Sequence, residues 1–171
     1  MVRVARFEKV SLRRFVADWV ATFPQQTVEQ AVAAYERIRL PERATSGSAG
    51  YDLFAPVGFE LGAGEGIKIP TGLRVLIEEG WVLTIYPRSG LGFKYRFQLD
   101  NSVGVIDSDY ARSDNEGHIF MRMINDSREG KTLIVPSGTA FAQGIFLPFG
   151  ITVDDHAQGV RNGGLGSTTG H

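Results

Sequence analysis

The chain contains no cysteine in 171 residues. That excludes a disulfide framework, a thiolate metal site and a cysteine nucleophile, and it fits a reducing cytosol. Histidine is scarce, and His118, His156 and His171 are too scattered to form a shared metal-ligand spacing. No apolar run is long enough to cross a bilayer, so no membrane association is expected. The opening residues Met1-Val2-Arg3-Val4-Ala5-Arg6 lack the apolar stretch of a secretory signal. The expected location is therefore cytoplasmic. Charge of neither sign is in excess: 18 Lys and Arg against 19 Asp and Glu leave a net −1. A basic footprint for direct nucleic-acid binding is missing, although a local cluster can still hold a small polyanion.

What is present divides the chain into regions of different period. Leu12, Phe15, Val16, Trp19, Val20 and Phe23 recur at helical spacing, and Pro24 ends the run. Thr27 and Gln30 form a capping box ahead of a second apolar face on Val28, Ala31, Val32, Tyr35 and Ile38. These two short helices must bury their faces on the rest of the chain or on a neighbouring subunit. From Gly66 the period becomes two: Leu73, Val75 and Ile77 alternate with Arg74 and Leu76, and Ile119, Met121 and Met123 with Phe120 and Arg122. Segments 81–86, 132–135 and 141–147 add further strands, with turn signals between, so the body is mainly β, a sandwich or barrel. The organisation read is one domain in three parts: an N-terminal helical extension over 1–40, a β-barrel over 41–155 and a Gly-rich C-terminal arm over 156–171.

Several short segments carry chemistry. Pro87-Arg88-Ser89-Gly90-Leu91-Gly92 follows a strand, where a Gly-flanked serine can offer its hydroxyl and backbone N–H groups to a phosphate. Arg88 either binds that phosphate or braces the loop through a carboxylate such as Asp52 or Asp109. Asn101 to Tyr110 reads as a tight hairpin whose backbone groups at the tip can read the edge of a base, because a wrong donor pattern leaves buried groups unpaired. Asp107 either caps the turn or accepts a proton from water. Residues 111–117 read as an exposed loop without chemistry. Gln143 lies at the start of a strand. In the arm, Arg161 can grip a phosphate bidentately, and Ser167 and Thr168 can add contacts to it, if the segment folds over a ligand.

Taken in order, Ala49-Gly50-Tyr51-Asp52-Leu53, Pro87 to Gly92, Gly104 to Tyr110, Phe141-Ala142-Gln143 and Arg161 to Thr168 resemble the five motifs of the trimeric dUTP diphosphatases, the dUTPases. The likeness runs from about Leu40 onward and leaves the helices outside it. It implies a jelly-roll-like β-barrel, a homotrimer with active sites shared between subunits, dUTP as substrate and Mg2+ carried on the triphosphate. It further implies that Asp107 is the general base for water attacking the α-phosphorus, giving dUMP and pyrophosphate. By the same likeness Ser89, Gly90 and Gln143 contact phosphate, and Arg88 mainly holds the site together. Asn101, Gly104, Val105 and Ile106 read uracil, and Tyr110 stacks under the deoxyribose. Arg161, Leu165, Gly166, Ser167 and Thr168 close over the nucleotide, and Asp52 and Asp109 organise the site. Ala140 stands where relatives carry a basic residue, and Leu165 where they carry an aromatic one. Two other readings are a dCTP deaminase on the same fold, against which Gln143 replaces the needed glutamate, and a nucleotide-switched protein-binding homologue, suggested by the N-terminal helices.

Overall fold

The computed structural model describes residues 2–159 and Arg161. The chain opens with β1 (Ala5–Lys9), α1 (Leu12–Thr22) and α2 (Val28–Glu36). The body follows as β2 (Tyr51–Phe54), β3 (Phe59–Leu61), β4 (Gly66–Pro70), β5 (Leu73–Ile77) and β6 (Trp81–Pro87). Next come α3 (Ser89–Tyr95), β7 (Phe97–Leu99), β8 (Gly104–Ile106) and a 3-10 turn at Tyr110–Arg112. It closes with β9 (Phe120–Asn125), β10 (Leu133–Val135) and β11 (Ala140–Pro148). The pairings among these strands are all antiparallel, in sheets ordered β2-β11-β6-β8, β4-β9-β7, β1-β5 and β10-β3. The result is a mainly β, jelly-roll-like body.

The period-two segments do what their alternation demands. β9 turns Met121, Met123 and Asn125 inward and leaves Arg122 exposed. β5 buries Leu73 and Val75. They meet Leu53, Leu83, Ile85, Phe97 and Phe141 in one core. Removing such side chains from water is the main stabilising term, roughly 1.5–3 kcal/mol each.

The helices also form as the sequence predicts. Ser11 caps α1 by accepting from the Arg14 N–H, and Thr27 and Gln30 make the reciprocal bonds of a capping box ahead of α2. Of the two surfaces that could bury their apolar faces, the chain's own β-body is the one used. Phe15, Trp19, Ala31, Ala34 and Ile38 are all buried within the common core. Phe15 stacks obliquely on Trp19 and Tyr35, with centroids 5.0 and 5.5 Å apart. The helices press so closely on Gly72 that a Cβ there would sit 2.2 Å from Ile38 Cδ1, and its φ of +73° also requires glycine. Strand β1 was not expected: residues 5–9 show little alternation, and they become a strand by pairing along β5 from Ala5↔Ile77 to Lys9↔Leu73. Among the described residues no helix is long and apolar enough to cross a membrane.

Candidate active site

One sheet gathers the segments singled out above. In the order β2-β11-β6-β8, Gln143 of β11 lies opposite Asp52 of β2 on one side and Tyr86 of β6 on the other. Strand β6 then delivers Arg88 and Ser89 just beyond its end at Pro87. On its far side β6 pairs with β8, Ile85 against Gly104 and Leu83 against Ile106. Gly104 packs closely there: a Cβ would come 3.1 Å from that of Ile85.

At the first end lies a polar cleft of about 300 Å³ lined by Ser48, Gly50, Asp52, Arg88, Ser89 and Gln143. Arg88 pairs with Asp52 at 3.2 Å. Of the two partners considered for Arg88, the structure selects Asp52, and Asp109 is engaged elsewhere. Gln143 Nε2 donates to the Pro87 carbonyl at 3.2 Å. Its Oε1 occupies the space over Gly50, where a Cβ would lie only 2.6 Å away. Gly50 therefore permits the packing of Gln143, a role that its position in the sequence does not announce. The segment read as an open loop after β6 is instead the first turn of α3, so Ser89 and Gly90 are held in helical backbone. Asp52 is a lone carboxylate here; among the described residues no group of three or more His, Cys, Asp or Glu could hold a metal ion.

A second, more apolar cleft of about 250 Å³ lies by β8, lined by Ile85, Leu99, Asn101, Gly104, Ile106, Phe120 and neighbours. The segment Asn101 to Tyr110 is not the self-paired hairpin its sequence predicts. Within it only β8 is a strand, and that pairs with β6; ahead of it β7 pairs with β9, and an isolated bridge links Leu99 to Ser102. The turn between them uses Ser102 at φ +70°. β8 finds its partner in the neighbouring strand β6, which satisfies its backbone groups without a hairpin. Val105 is exposed on this edge.

Beyond β8 the chain turns through Asp107, Asp109 and Tyr110. Arg161 Nη2 pairs with Asp107 Oδ2, and its Nε donates to Asp109 Oδ1 at 2.9 Å. Asp109 thus holds Arg161, not Arg88. The same guanidinium lies 5.8 Å from the Tyr110 ring centroid. Tyr110 is buried, and its hydroxyl donates to the His118 carbonyl at 2.8 Å while accepting from Asn115 Nδ2 at 3.0 Å. Burial pushes the phenol pKa up, against the opposing pull of the Asn115 bond and Arg161.

Residues 111–117, expected as an exposed loop, pack down. Ala111 and Ser113 are buried, and Glu116 binds the Ser11 N–H and hydroxyl at 2.8 and 2.7 Å. Gly117 sits so close that a Cβ would be 2.6 Å from Ala111 Cα. His118 is fully buried, with Nδ1 2.6 Å from Asp18 Oδ2 and Nε2 accepting from the Gly72 N–H at 2.8 Å. Sequence reasoning missed Asn115, Glu116 and the Asp18–His118 pair; the last joins residues 100 apart, beyond any local spacing signal. Leu165, Gly166, Ser167 and Thr168 lie outside the described residues.

The chain thus carries one polar cleft and one more apolar cleft. The chain belongs to the dUTPase family, whose model matches residues 36–169. It is 43% identical over 134 residues to the deoxyuridine 5'-triphosphate nucleotidohydrolase of Lactococcus lactis, covering 77% of this chain and 88% of that one. The corresponding protein of Dictyoglomus turgidum is 36% identical over 138 residues, covering 75% and 89%. Among solved structures, the dUTPase from Streptococcus mutans is 34% identical with a TM-score of 0.62, covering 87% of this chain and 98% of that one. The dUTPase of Staphylococcus bacteriophage 80alpha shares the fold at 19% identity and a TM-score of 0.64, covering 97% and 98%.

Proposed function

We propose that the protein hydrolyses dUTP to dUMP and pyrophosphate in the cytoplasm, limiting uracil in DNA and supplying dUMP for thymidylate synthesis. The observation that carries this reading is the single sheet that sets Asp52, Gln143 and Gly104 on β2, β11 and β8 and delivers Ser89 just past the end of β6. Ser89, Gly90 and Gln143 bind the phosphates, with Arg88 braced by Asp52. The cleft by Asn101, Gly104, Val105 and Ile106 takes uracil. Tyr110 presents only its ring to the deoxyribose, since its hydroxyl is used inside the protein.

Asp107 accepts the proton of the water that attacks the α-phosphorus. For that, its partner Arg161 exchanges the carboxylates of Asp107 and Asp109 for phosphate oxygens, aided by the arm residues Leu165, Gly166, Ser167 and Thr168. Bidentate guanidinium pairing serves either anion equally well in geometry. Mg2+ on the triphosphate, with Asp52 nearby, supplies charge neutralisation and a fixed phosphate conformation.

The register supports a homotrimer with shared sites. Ile106 pairs with Leu83, and β6 runs on from Leu83 to Pro87 before reaching Ser89. Those four steps alone span ~13 Å at the usual strand rise. Asp107 and Ser89 of one chain therefore lie at opposite ends of β6, and a site containing both draws them from different subunits. The packing of α1 and α2 on their own β-body leaves little of their apolar faces for a switched protein partner, and Gln143 disfavours deamination.

The test is pyrophosphate release from dUTP, dCTP, dTTP and UTP, each with Mg2+ and with EDTA. Rapid release from dUTP alone, abolished by EDTA, is expected; release from none of them refutes the proposal. Asp107→Asn should lower kcat by about 10²-fold or more and leave dUTP binding in calorimetry intact.

A further inference from the structure

We propose that α1 is a positioning element for sugar selection, acting from Asp18 through His118 on Tyr110. The inference rests on the reading that Tyr110 faces the deoxyribose.

The chain of contacts leaves little freedom. The Gly72 N–H can only donate, so His118 Nε2 must be the bare nitrogen that accepts it. The proton therefore sits on Nδ1 and is donated to Asp18 Oδ2, 2.6 Å away. His118 is thus fixed as one neutral tautomer, and its fully buried ring cannot turn without leaving two groups unpaired. Its carbonyl accepts the Tyr110 hydroxyl at 2.8 Å, and Asn115 donates to that hydroxyl at 3.0 Å. Both capacities of the hydroxyl are filled from beneath, so the height and tilt of the ring are set by the position of His118. The His118 ring also packs 4.5 Å from that of Phe120, which lines the base cleft.

The same helix grips the intervening segment along one polar stripe. Ser11 binds Glu116, Arg14 donates to the Asp114 carbonyl at 3.0 Å, and Asp18 holds His118. Arg14 and Asp18, four apart, share one helix face, and Ser11 caps the turn ahead of them. Phe15 and Trp19 lie off that stripe and face the core. Helix α1 therefore has two working surfaces, one apolar for stability and one polar that sets the frame around Tyr110.

The experiment compares kcat/KM for dUTP and for UTP in the wild type, Asp18→Ala and Asp18→Asn. Asp18→Ala should lower the preference for dUTP by about tenfold, mainly through KM for dUTP, since Asp107 is untouched. Asp18→Asn keeps an acceptor for Nδ1 and should restore most of the preference. An unchanged preference in folded Asp18→Ala overturns the proposal and leaves the dUTPase reading standing; a wild type that does not turn over dUTP takes down both. Should Asp18→Ala not fold, Tyr110→Phe decides: it keeps the ring and loses the hydroxyl's bonds to His118 and Asn115, and a wild-type preference there refutes the mechanism.

Discussion

Lowering the pH from 7 to 5.5 should weaken the fold through one side chain, His118, by at most about 1.3 kcal/mol. Burial pushes its pKa below the ordinary 6.5, and the hydrogen bond and charge of Asp18 only partly offset that. The folded chain therefore keeps His118 neutral where the unfolded chain takes up a proton. Stability is full above pH 6.5 and falls as the pH drops below it, until the folded-state pKa is reached. The limiting slope for one proton is about 1.4 kcal/mol per pH unit, and partial titration of the unfolded chain near 6.5 sets the ceiling over this interval at about 1.3 kcal/mol. Glu116 acts in a different window. Desolvation tends to raise its pKa, but the Ser11 bonds and the charges of Arg14 and Arg74 prevail and lower it. Its contribution is present above 4.5 and is lost only below that value. Urea unfolding followed by the emission of buried Trp19 at pH 7, 6.5 and 5.5 reads the effect. Protein concentration must be held fixed, because association shifts the midpoint. His118→Gln should be less stable but flat across the interval. A wild type that is flat, or a His118→Gln variant with the wild-type slope, refutes the argument.

Two further substitutions probe the polar cleft and the core. Gly50→Ala places a methyl 2.6 Å from Gln143 Oε1 and should push that side chain off the Pro87 carbonyl, so steady-state kinetics should show a severalfold higher KM for dUTP with little change in melting temperature. Phe15→Ala empties a fully buried site between Trp19, Tyr35 and Gly72 and should cost about 3–5 kcal/mol in urea unfolding.

Residue order alone determined what depends on local periodicity and on contiguous motifs. The helical spacing of Phe15, Trp19, Ala31 and Ile38, the Thr27–Gln30 capping box and the alternation of Met121 and Met123 each report which face of an element is apolar, and burial follows from that. The five ordered segments marked the family in the same way, since each is read within ten residues. Tertiary structure decided every matter of partnership. Ala5–Lys9 carries no strong alternation and is a strand only because β5 offers it free backbone groups. Asn101 to Tyr110 looks like a hairpin locally, yet Gly104–Ile106 pairs with β6, which takes up the same N–H and C=O groups. Arg88 had two plausible carboxylates, and the β2-β11-β6 register brought Asp52 to it. Residues 111–117 are polar enough to read as solvent-exposed, but Ser11 and Arg14 of a distant helix supply the hydrogen bonds that draw them in. The Asp18–His118 contact needs α1, β5 and β9 to be packed together first. A charge and an imidazole 100 residues apart carry no mutual signal until burial removes the water that would otherwise serve both.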